Sequence, residues 1–146
     1  MSIIVWDGKT LAADKQTTNV NLKRPATTKI FRNGDILFAG VGQHQSVRAL
    51  MEWVEWGMPA AKFPKDYTDS SGSTALWIIN RNGTIGRVED GPFVIMQEQS
   101  YFADGSGRDF AYGAMAMGAD AVKAVEIACQ HDIYCGGGID TLTFDD

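Results

Sequence analysis

The first fourteen residues, Met1-Ser-Ile-Ile-Val-Trp-Asp-Gly-Lys-Thr-Leu-Ala-Ala-Asp14, decide the fold that this sequence predicts. Two mainly apolar runs, residues 3–6 and 9–13, flank the pair Asp7-Gly8. An Asp-Gly pair between such runs is the strongest short-range signal for a β-hairpin, because the turn that matches strand twist needs positive φ. The stretch therefore predicts a hairpin that begins at the amino terminus.

Ser2, at the start of this hairpin, is a candidate nucleophile. Methionine aminopeptidases generally remove an initiator Met that precedes a small residue, so we expect the mature chain to start at Ser2. A hydroxyl and a free α-amine would then lie on one residue. An α-amine titrates at roughly 7.7 to 8.0, so it can act as the base for that hydroxyl without a histidine. An ordinary serine in second position is the alternative.

The composition is that of one globular domain spanning residues 1–146. The chain has 45% apolar and 21% charged residues and is long enough to bury a core. Its formal net charge of -5 and the lack of a basic stripe exclude nucleic acid as a partner. No apolar run reaches the length of a membrane span, and no signal peptide is visible, so we expect a cytoplasmic protein without membrane contact.

Cysteines and histidines are few. Cys129 and Cys135 can in principle pair, but a reducing compartment favours free thiols. Together with His44 and His131 they do not have the spacing of a zinc site. We therefore expect neither a metal nor a cofactor.

Hairpin and helix signals divide the rest of the chain. Residues 15–26 are polar and are predicted to form a loop, as is the irregular stretch 58–73. Asn33-Gly34 and Arg81-Asn-Gly83 mark two further hairpins. The remaining predicted strands and helices are strands 27–31, 35–39, 74–80, 84–88, 93–96, 100–103 and 139–144 and helices 43–56, 108–117 and 121–130, the last capped by Asp120. Such segregated elements favour an α+β fold with helices layered on antiparallel sheets.

Four pieces of the chain resemble, in order, the proteasome β-subunit and HslV family of N-terminal nucleophile (Ntn) hydrolases. They are Asp7-Gly-Lys-Thr-Leu-Ala-Ala-Asp-Lys15, Thr28-Lys-Ile-Phe31, Phe38-Ala-Gly-Val-Gly42, and Asp104-Gly-Ser-Gly107 with His131-Asp-Ile-Tyr-Cys-Gly-Gly-Gly-Ile-Asp140. The resemblance covers nearly the whole chain and implies a four-layer αββα sandwich. The loop 58–73 stands where the family has a longer helix, which implies a shortened helical layer.

Three catalytic residues follow from this resemblance. It puts Ser2 at the family's N-terminal threonine, Lys29 at its buried lysine and Asp14 at the acidic partner of that lysine. Lys29 would then favour the developing alkoxide and lower the pKa of the α-amine. Without the resemblance, an ordinary surface Asp and Lys remain the alternative. The short amino terminus also requires a shortened opening hairpin if Ser2 is to reach the nucleophile position.

Five further site residues are implied by the same resemblance. Gly42 would offer a backbone N–H to the oxyanion, although it can also be a hinge between a strand and a helix. Ser106 and Asp132 match the serine and aspartate near the terminal amine. Cys135 stands where the family often has serine, and a small buried structural role is the alternative. Thr18 resembles the residue that pairs with the substrate backbone as an added strand.

The resemblance implies a self-compartmentalising, threonine-type peptidase. We expect a homo-oligomeric ring that acts on peptides or unfolded proteins, with an ATPase unfoldase as a possible partner. Trp53 and Trp56 are candidates for contacts between subunits. Two alternatives remain open: a catalytically silent ring or scaffold protein, and an Ntn amidohydrolase that acts on a small amide.

Overall fold

The computed structural model describes residues 2–19, 22–24, 27–65 and 74–145. The strands in these ranges are β1 (Ile3–Trp6), β2 (Leu11–Asp14), β3 (Thr17–Asn19), β4 (Leu22–Arg24), β5 (Ile30–Asn33), β6 (Ile36–Val41), β7 (Ala75–Asn80), β8 (Ile85–Val88), β9 (Ile95–Gln97), β10 (Phe102–Gly105) and β11 (Ile139–Leu142). The α-helices are α1 (His44–Glu55), α2 (Arg108–Ala116) and α3 (Ala121–His131).

These strands form two main antiparallel sheets. The first sheet has the order β10-β1-β2-β11, and the second has the order β5-β6-β7-β8-β9. Within the part of the chain that the structure describes, the short strands β3 and β4 pair only with each other. Because β1 lies inside the first sheet and is buried along its whole length, the amino-terminal hairpin is the centre of that sheet.

Three apolar clusters hold four layers together. The cluster between the sheets contains Ile4, Leu11 and Trp77. A second cluster, with Ile3 and Val125, packs α2 and α3 on the outer face of the first sheet. The third cluster, with Leu50, packs α1 on the outer face of the second sheet. Alternate residues of β1 point to opposite faces of the sheet, so Ile3 packs in the second cluster and Ile4 in the cluster between the sheets. The predicted α+β, four-layer αββα sandwich is confirmed.

The turn of the amino-terminal hairpin is anchored by Asp7. Its Oδ1 accepts hydrogen bonds from the backbone N–H groups of Lys9 and Thr10, at 2.9 and 2.8 Å. Its Oδ2 accepts from the N–H of Ala121, the first residue of α3, at 2.8 Å. Gly8 has φ +98°, the left-handed conformation that the Asp-Gly pair predicts. The turn extends to Thr10, so β2 begins two residues later than expected.

Two predicted loops contain regular structure, and one surface prediction is wrong. Residues 15–26 include the hairpin β3–β4, and residues 58–73 include the 3₁₀ turn Ala60–Lys62, while 66–73 lie outside the described residues. Trp53 is 1% exposed, with its indole N–H donating to the carbonyl of Pro59 at 2.9 Å, so it belongs to the core and not to a subunit contact. Within the described ranges, no helix is both long and apolar enough to cross a bilayer.

Candidate active site

The candidate site lies at one end of the sandwich, where the termini of several strands meet. Ile3 pairs with Gly105, and Asp14 pairs with Ile139, so the start of β1 lies beside the ends of β10 and β2. The end of β6 closes the opposite wall. Between the walls is a cleft of about 880 Å³, lined by Ser2, Lys29, Gly42 and Ser106 among others.

The Asp14 carboxylate is the most enclosed charge of this region. Its Oδ1 accepts from the N–H of Ile3 at 3.0 Å and from Lys29 Nζ at 2.6 Å. Its Oδ2 accepts from the N–H of Gly136 at 3.0 Å and of Gln16 at 3.4 Å. A fully buried carboxylate is tolerated when its lone pairs are filled in this way. The alternative of a surface Asp is therefore excluded.

Lys29 lies just before β5 and points into the sandwich. Its side chain is 8% exposed, and its ammonium is ion-paired with Asp14. Burial lowers the pKa of Lys29 below the ordinary 10.5, and the attraction and hydrogen bond of Asp14 only partly oppose this effect. A lysine with a lowered pKa can carry a positive charge and can also release its proton more readily than a surface lysine. Both properties are typical of lysines at functional sites.

Ser2 is held by the turn that follows β10. Its carbonyl oxygen accepts from the N–H of Gly107 at 3.3 Å and from the hydroxyl of Ser106 at 3.4 Å. A Cβ on Gly105 would lie 2.1 Å from the same oxygen, so that position has no room for a side chain. Since Ser2 itself is 4% exposed, its backbone is fixed by sheet and turn together.

Ser106, Cys135 and Asp132 form a chain of polar contacts beside Ser2. The Ser106 hydroxyl lies 3.8 Å from Cys135 Sγ, which donates to Asp132 Oδ2 at 3.4 Å. Burial raises the pKa of Cys135 to about 12, so the group is a neutral thiol. Burial raises the pKa of Asp132, but hydrogen bonds from the N–H of Tyr134 and from the Ser106 and Cys135 side chains lower it by more. The pKa of Asp132 therefore lies below its ordinary value of 3.8.

Gly42 connects β6 to α1 at the wall of the cleft. Its φ of +108° is in the left-handed region, where a side chain would be strained. The next residue, Gln43, is the N-cap of α1 and donates its N–H to Thr74 Oγ1 at 3.2 Å. The first N–H groups of a helix lack intrahelical partners, and negative charge is favoured beside them.

The two flanks of the cleft differ in character. On the side of β5 and α1, the lining includes the apolar residues Phe31, Val47 and Met51. A hydrogen-bonded row crosses the same side, in which the Thr17 hydroxyl contacts Thr27 Oγ1 at 2.6 Å and His44 Nε2 at 3.1 Å. On the side of β8 and β10 the lining is charged, with residues Arg87, Asp104 and Arg108.

Most of the predicted site residues meet in this cleft. Ser2, Lys29, Gly42 and Ser106 line it, Asp14 lies behind Lys29, and Asp132 and Cys135 lie behind Ser106. Thr18 is in β3, opposite Lys23, and its side chain lies outside the described part of the structure. The roles of these residues stay predictions.

Sequence reasoning missed the lining residues on both flanks. Thr17, His44 and Arg87 carry no local motif, and Asp104 was quoted only as the first residue of the stretch Asp104-Gly-Ser-Gly107, with no role of its own. The four residues meet through contacts between distant parts of the chain. One signal was available: Gly40, inside an apolar strand, indicates a close approach, and a Cβ there would lie 2.1 Å from Val47. Across residues 2–19, 22–24, 27–65 and 74–145, no group of three His, Cys, Asp or Glu residues is placed to hold a metal ion.

The architecture matches solved structures of known proteins, although the sequence matches no family model and no curated protein. The solved structures include BPH of Thiobacillus denitrificans in complex with epoxomicin (21% identity, 97% of each chain, TM-score 0.72) and HslV of Trypanosoma brucei (23%, 97% of each chain, 0.69). A second structure of the same BPH is 22% identical, with 97% of this chain and 95% of that chain covered and a TM-score of 0.71. The protein therefore has the fold of the HslV-like N-terminal nucleophile hydrolases.

Proposed function

We propose that this protein is a peptidase subunit that cleaves peptide bonds by acyl transfer to Ser2, which becomes the N-terminal residue when Met1 is removed. One observation carries the proposal: Ser2 shares a cleft with a buried Lys29 that is ion-paired to a fully buried Asp14. A buried ion pair is costly to fold compared with apolar residues. Its place beside a hydroxyl at the open end of a sandwich favours a catalytic reason for keeping it.

The acylation step follows from the chemistry of these groups. The α-amine of Ser2 takes the proton of the hydroxyl, and Oγ attacks the carbonyl carbon of the substrate. The charge of Lys29 stabilises the alkoxide, and the N–H of Gly42 stabilises the oxyanion. The ammonium formed on Ser2 then protonates the leaving nitrogen as the carbon–nitrogen bond breaks.

Deacylation uses the same groups in reverse. The free α-amine takes a proton from a water molecule, which attacks the carbonyl carbon of the Ser2 ester. As the bond between that carbon and Ser2 Oγ breaks, the ammonium returns its proton to Oγ and the acyl group leaves as a carboxylic acid. The Ser106 hydroxyl, with Cys135 and Asp132 behind it, keeps the first residue of the chain in place through both steps. The apolar residues of one flank, Val47 and Met51 among them, suit an apolar substrate side chain.

We further infer a homo-oligomeric ring whose sites face an inner chamber and accept unfolded chains. The likeness to HslV supports this assembly, and an ATPase unfoldase would be its natural partner. Exposed apolar side chains at Trp56, Phe93 and Met96 are consistent with subunit contacts. The two free cysteines suit a reducing compartment such as the cytoplasm.

The test is the intact mass of the purified protein before and after incubation with a β-lactone, with epoxomicin as a second probe. We expect a chain that starts at Ser2 and gains one β-lactone adduct, and we expect Ser2→Ala to gain none. Ser100→Ala, at an exposed serine outside the cleft, is the matched control and should still be labelled. Retention of Met1 without an adduct would contradict the proposal and leave a silent scaffold protein. An active monomer would favour the small-amide alternative.

A further inference from the structure

Asp104 is a charged residue in the space between the two sheets, at the edge of the cleft. It is the cross-strand neighbour of Ile4, which lies in the cluster between the sheets. Its side chain is 15% exposed and lines the same cleft as Ser2. An apolar residue would fill this place at lower desolvation cost, so the presence of a carboxylate calls for a reason.

The carboxylate of Asp104 connects the two sheets. Its Oδ1 accepts from the N–H of Gly105 at 2.8 Å, in its own sheet. Its Oδ2 accepts from Trp77 Nε1 at 2.8 Å, in the other sheet, and lies 3.9 Å from Arg87 Nη2. The Trp77 ring is itself fixed on two sides. It stacks on Phe102 with 4.0 Å between the ring centroids, and the Arg87 guanidinium lies 5.2 Å from the Trp77 centroid.

The residue held by Asp104 is the first one of the turn that holds Ser2. Gly105 leaves no room for a Cβ against the Ser2 carbonyl, and Ser106 and Gly107 donate hydrogen bonds to that carbonyl. A shift of the turn would therefore shift Ser2. In an acyl-transfer site a displacement of about 1 Å can cost roughly a hundredfold in rate.

We propose that Asp104 is a positioning residue, which fixes the 105–107 turn against the second sheet through Trp77 and thereby sets the place of the Ser2 nucleophile. This inference rests on the proposed function. It adds an electrostatic effect: a carboxylate in the same cleft favours the protonated form of the Ser2 α-amine. The site then contains two opposing influences on that amine, one from Lys29 and one from Asp104.

The experiment is the kinetics of β-lactone labelling in Asp104→Asn. Asp104 accepts from Gly105 N–H with one oxygen and from Trp77 Nε1–H with the other, and asparagine puts an NH2 donor in place of one of these oxygens, so one of the two contacts is lost. We expect the maximal labelling rate to fall roughly ten- to hundredfold with the half-saturating β-lactone concentration unchanged. We also expect the acid limb of the pH profile to move to lower pH, because the amine loses a stabilising negative charge. A merely structural role would not move that limb.

Two further variants test the route through Trp77. Trp77→Phe removes the indole N–H and keeps a ring, so we expect a smaller fall in the same direction, and no additional fall when it is combined with Asp104→Asn. Asp109→Asn, at an exposed acid two residues beyond the turn, is the charge control and should label like the wild type.

The outcomes separate this inference from the proposed function. Wild-type labelling in Asp104→Asn, or a change only in the half-saturating concentration, would overturn the positioning role while the peptidase proposal stands. If the wild type takes no label, the peptidase proposal fails, and hydrogen exchange of the Gly107 amide still tests the turn. We expect faster exchange in both Asp104→Asn and Trp77→Phe, and unchanged exchange would overturn the inference.

Discussion

At the scale of single residues, the proposed mechanism depends on the buried Lys29–Asp14 ion pair. We expect Lys29→Met to lower the rate of Ser2 labelling roughly 10²- to 10³-fold, the usual effect of removing one group that stabilises developing negative charge. Lys15→Met is the matched control, because Lys15 is also ion-paired, to Asp140 at 3.0 Å, but is partly exposed and outside the cleft lining. Equal labelling in both variants would remove Lys29 from the mechanism.

The pH dependence of labelling follows from the same residue. The rate should rise with pH while the Ser2 α-amine loses its proton, near or below its ordinary pKa of about 8. It should fall again at high pH, when Lys29 loses the charge that stabilises the alkoxide. Because burial lowers the pKa of Lys29, we expect this alkaline fall below pH 10.5, which stopped-flow labelling across the pH range would measure. A rate that stays level up to pH 10.5 would contradict the assigned role.

The two cysteines give a prediction that does not depend on activity. Burial raises the pKa of Cys135 to about 12 and that of Cys129 to about 11. At pH 8 their reactive thiolate forms are then only about 10⁻⁴ and 10⁻³ of each population. We expect iodoacetamide to leave the folded protein unmodified over minutes and to add two labels in urea, as measured by intact mass. Because Cys129 is only partly buried, one rapid label would not identify the modified thiol, but rapid addition of two labels to the folded protein would show that Cys135 is not the buried neutral thiol that connects Ser106 to Asp132.

Residues with a local sequence signature were predictable, and residues that act through distant contacts were not. Asp14 and Lys29 lie in stretches that resemble a known family, Ser2 was placed by the same resemblance, and the structure brings all three to one region. Asp104 was quoted only as the first residue of the stretch Asp104-Gly-Ser-Gly107, with no role of its own. Its role depends on Trp77, 27 residues away in the other sheet, and no periodicity in the sequence encodes that contact.

At the scale of elements, the amino-terminal hairpin and α3 stabilise each other through Asp7. Asp7→Ala removes the acceptors of three backbone N–H groups, those of Lys9, Thr10 and Ala121. We expect the free energy of unfolding to fall by about 1–3 kcal/mol, since at least one of these donors is partly buried. Asp120→Ala, which removes only the cap on Lys123, should cost about 1 kcal/mol or less.

Urea denaturation at a fixed protein concentration measures both variants, because the stability of an oligomer depends on concentration. If Asp120→Ala costs more than Asp7→Ala, the link between hairpin and helix is not what stabilises this end of the sheet. Activity should be retained in both variants, since the Asp7 turn lies at the opposite end of β1 from Ser2.

Elements were predictable where pattern and turn chemistry agree, and they were missed where they do not. Asp7-Gly8 and Asn33-Gly34 flanked by apolar residues predicted two hairpins that the structure contains. The hairpin β3–β4 was missed because Thr17–Asn19 and Leu22–Arg24 lack apolar alternation. Among the described residues these strands pair only with each other, so pairing within a main sheet does not impose an alternating pattern on their sequence.

At the scale of the whole molecule, the second sheet ends in an edge on which no further strand of the described ranges pairs. Strand β9 is the last strand of that sheet, and Ile95 and Met96 on it are 56% and 55% exposed. An exposed apolar edge strand promotes pairing with another chain unless it is charged or covered. This edge is therefore our candidate for a contact between subunits of the proposed ring.

We expect light scattering after gel filtration to give a mass that is a multiple of 15.9 kDa, and we expect Ile95→Lys to shift it toward the monomer. A charge on the edge opposes pairing without touching Ser2, Lys29 or Asp14, so far-ultraviolet circular dichroism should not change. Lys9→Glu, in the exposed turn of the amino-terminal hairpin and away from β9, is the charge-changing control. Loss of assembly together with loss of protein cleavage, but with β-lactone labelling retained, would show that the ring selects substrates and that each subunit carries its own chemistry. A wild-type monomer would instead remove the chamber from the proposal, and the cleft would then have to select substrates by itself.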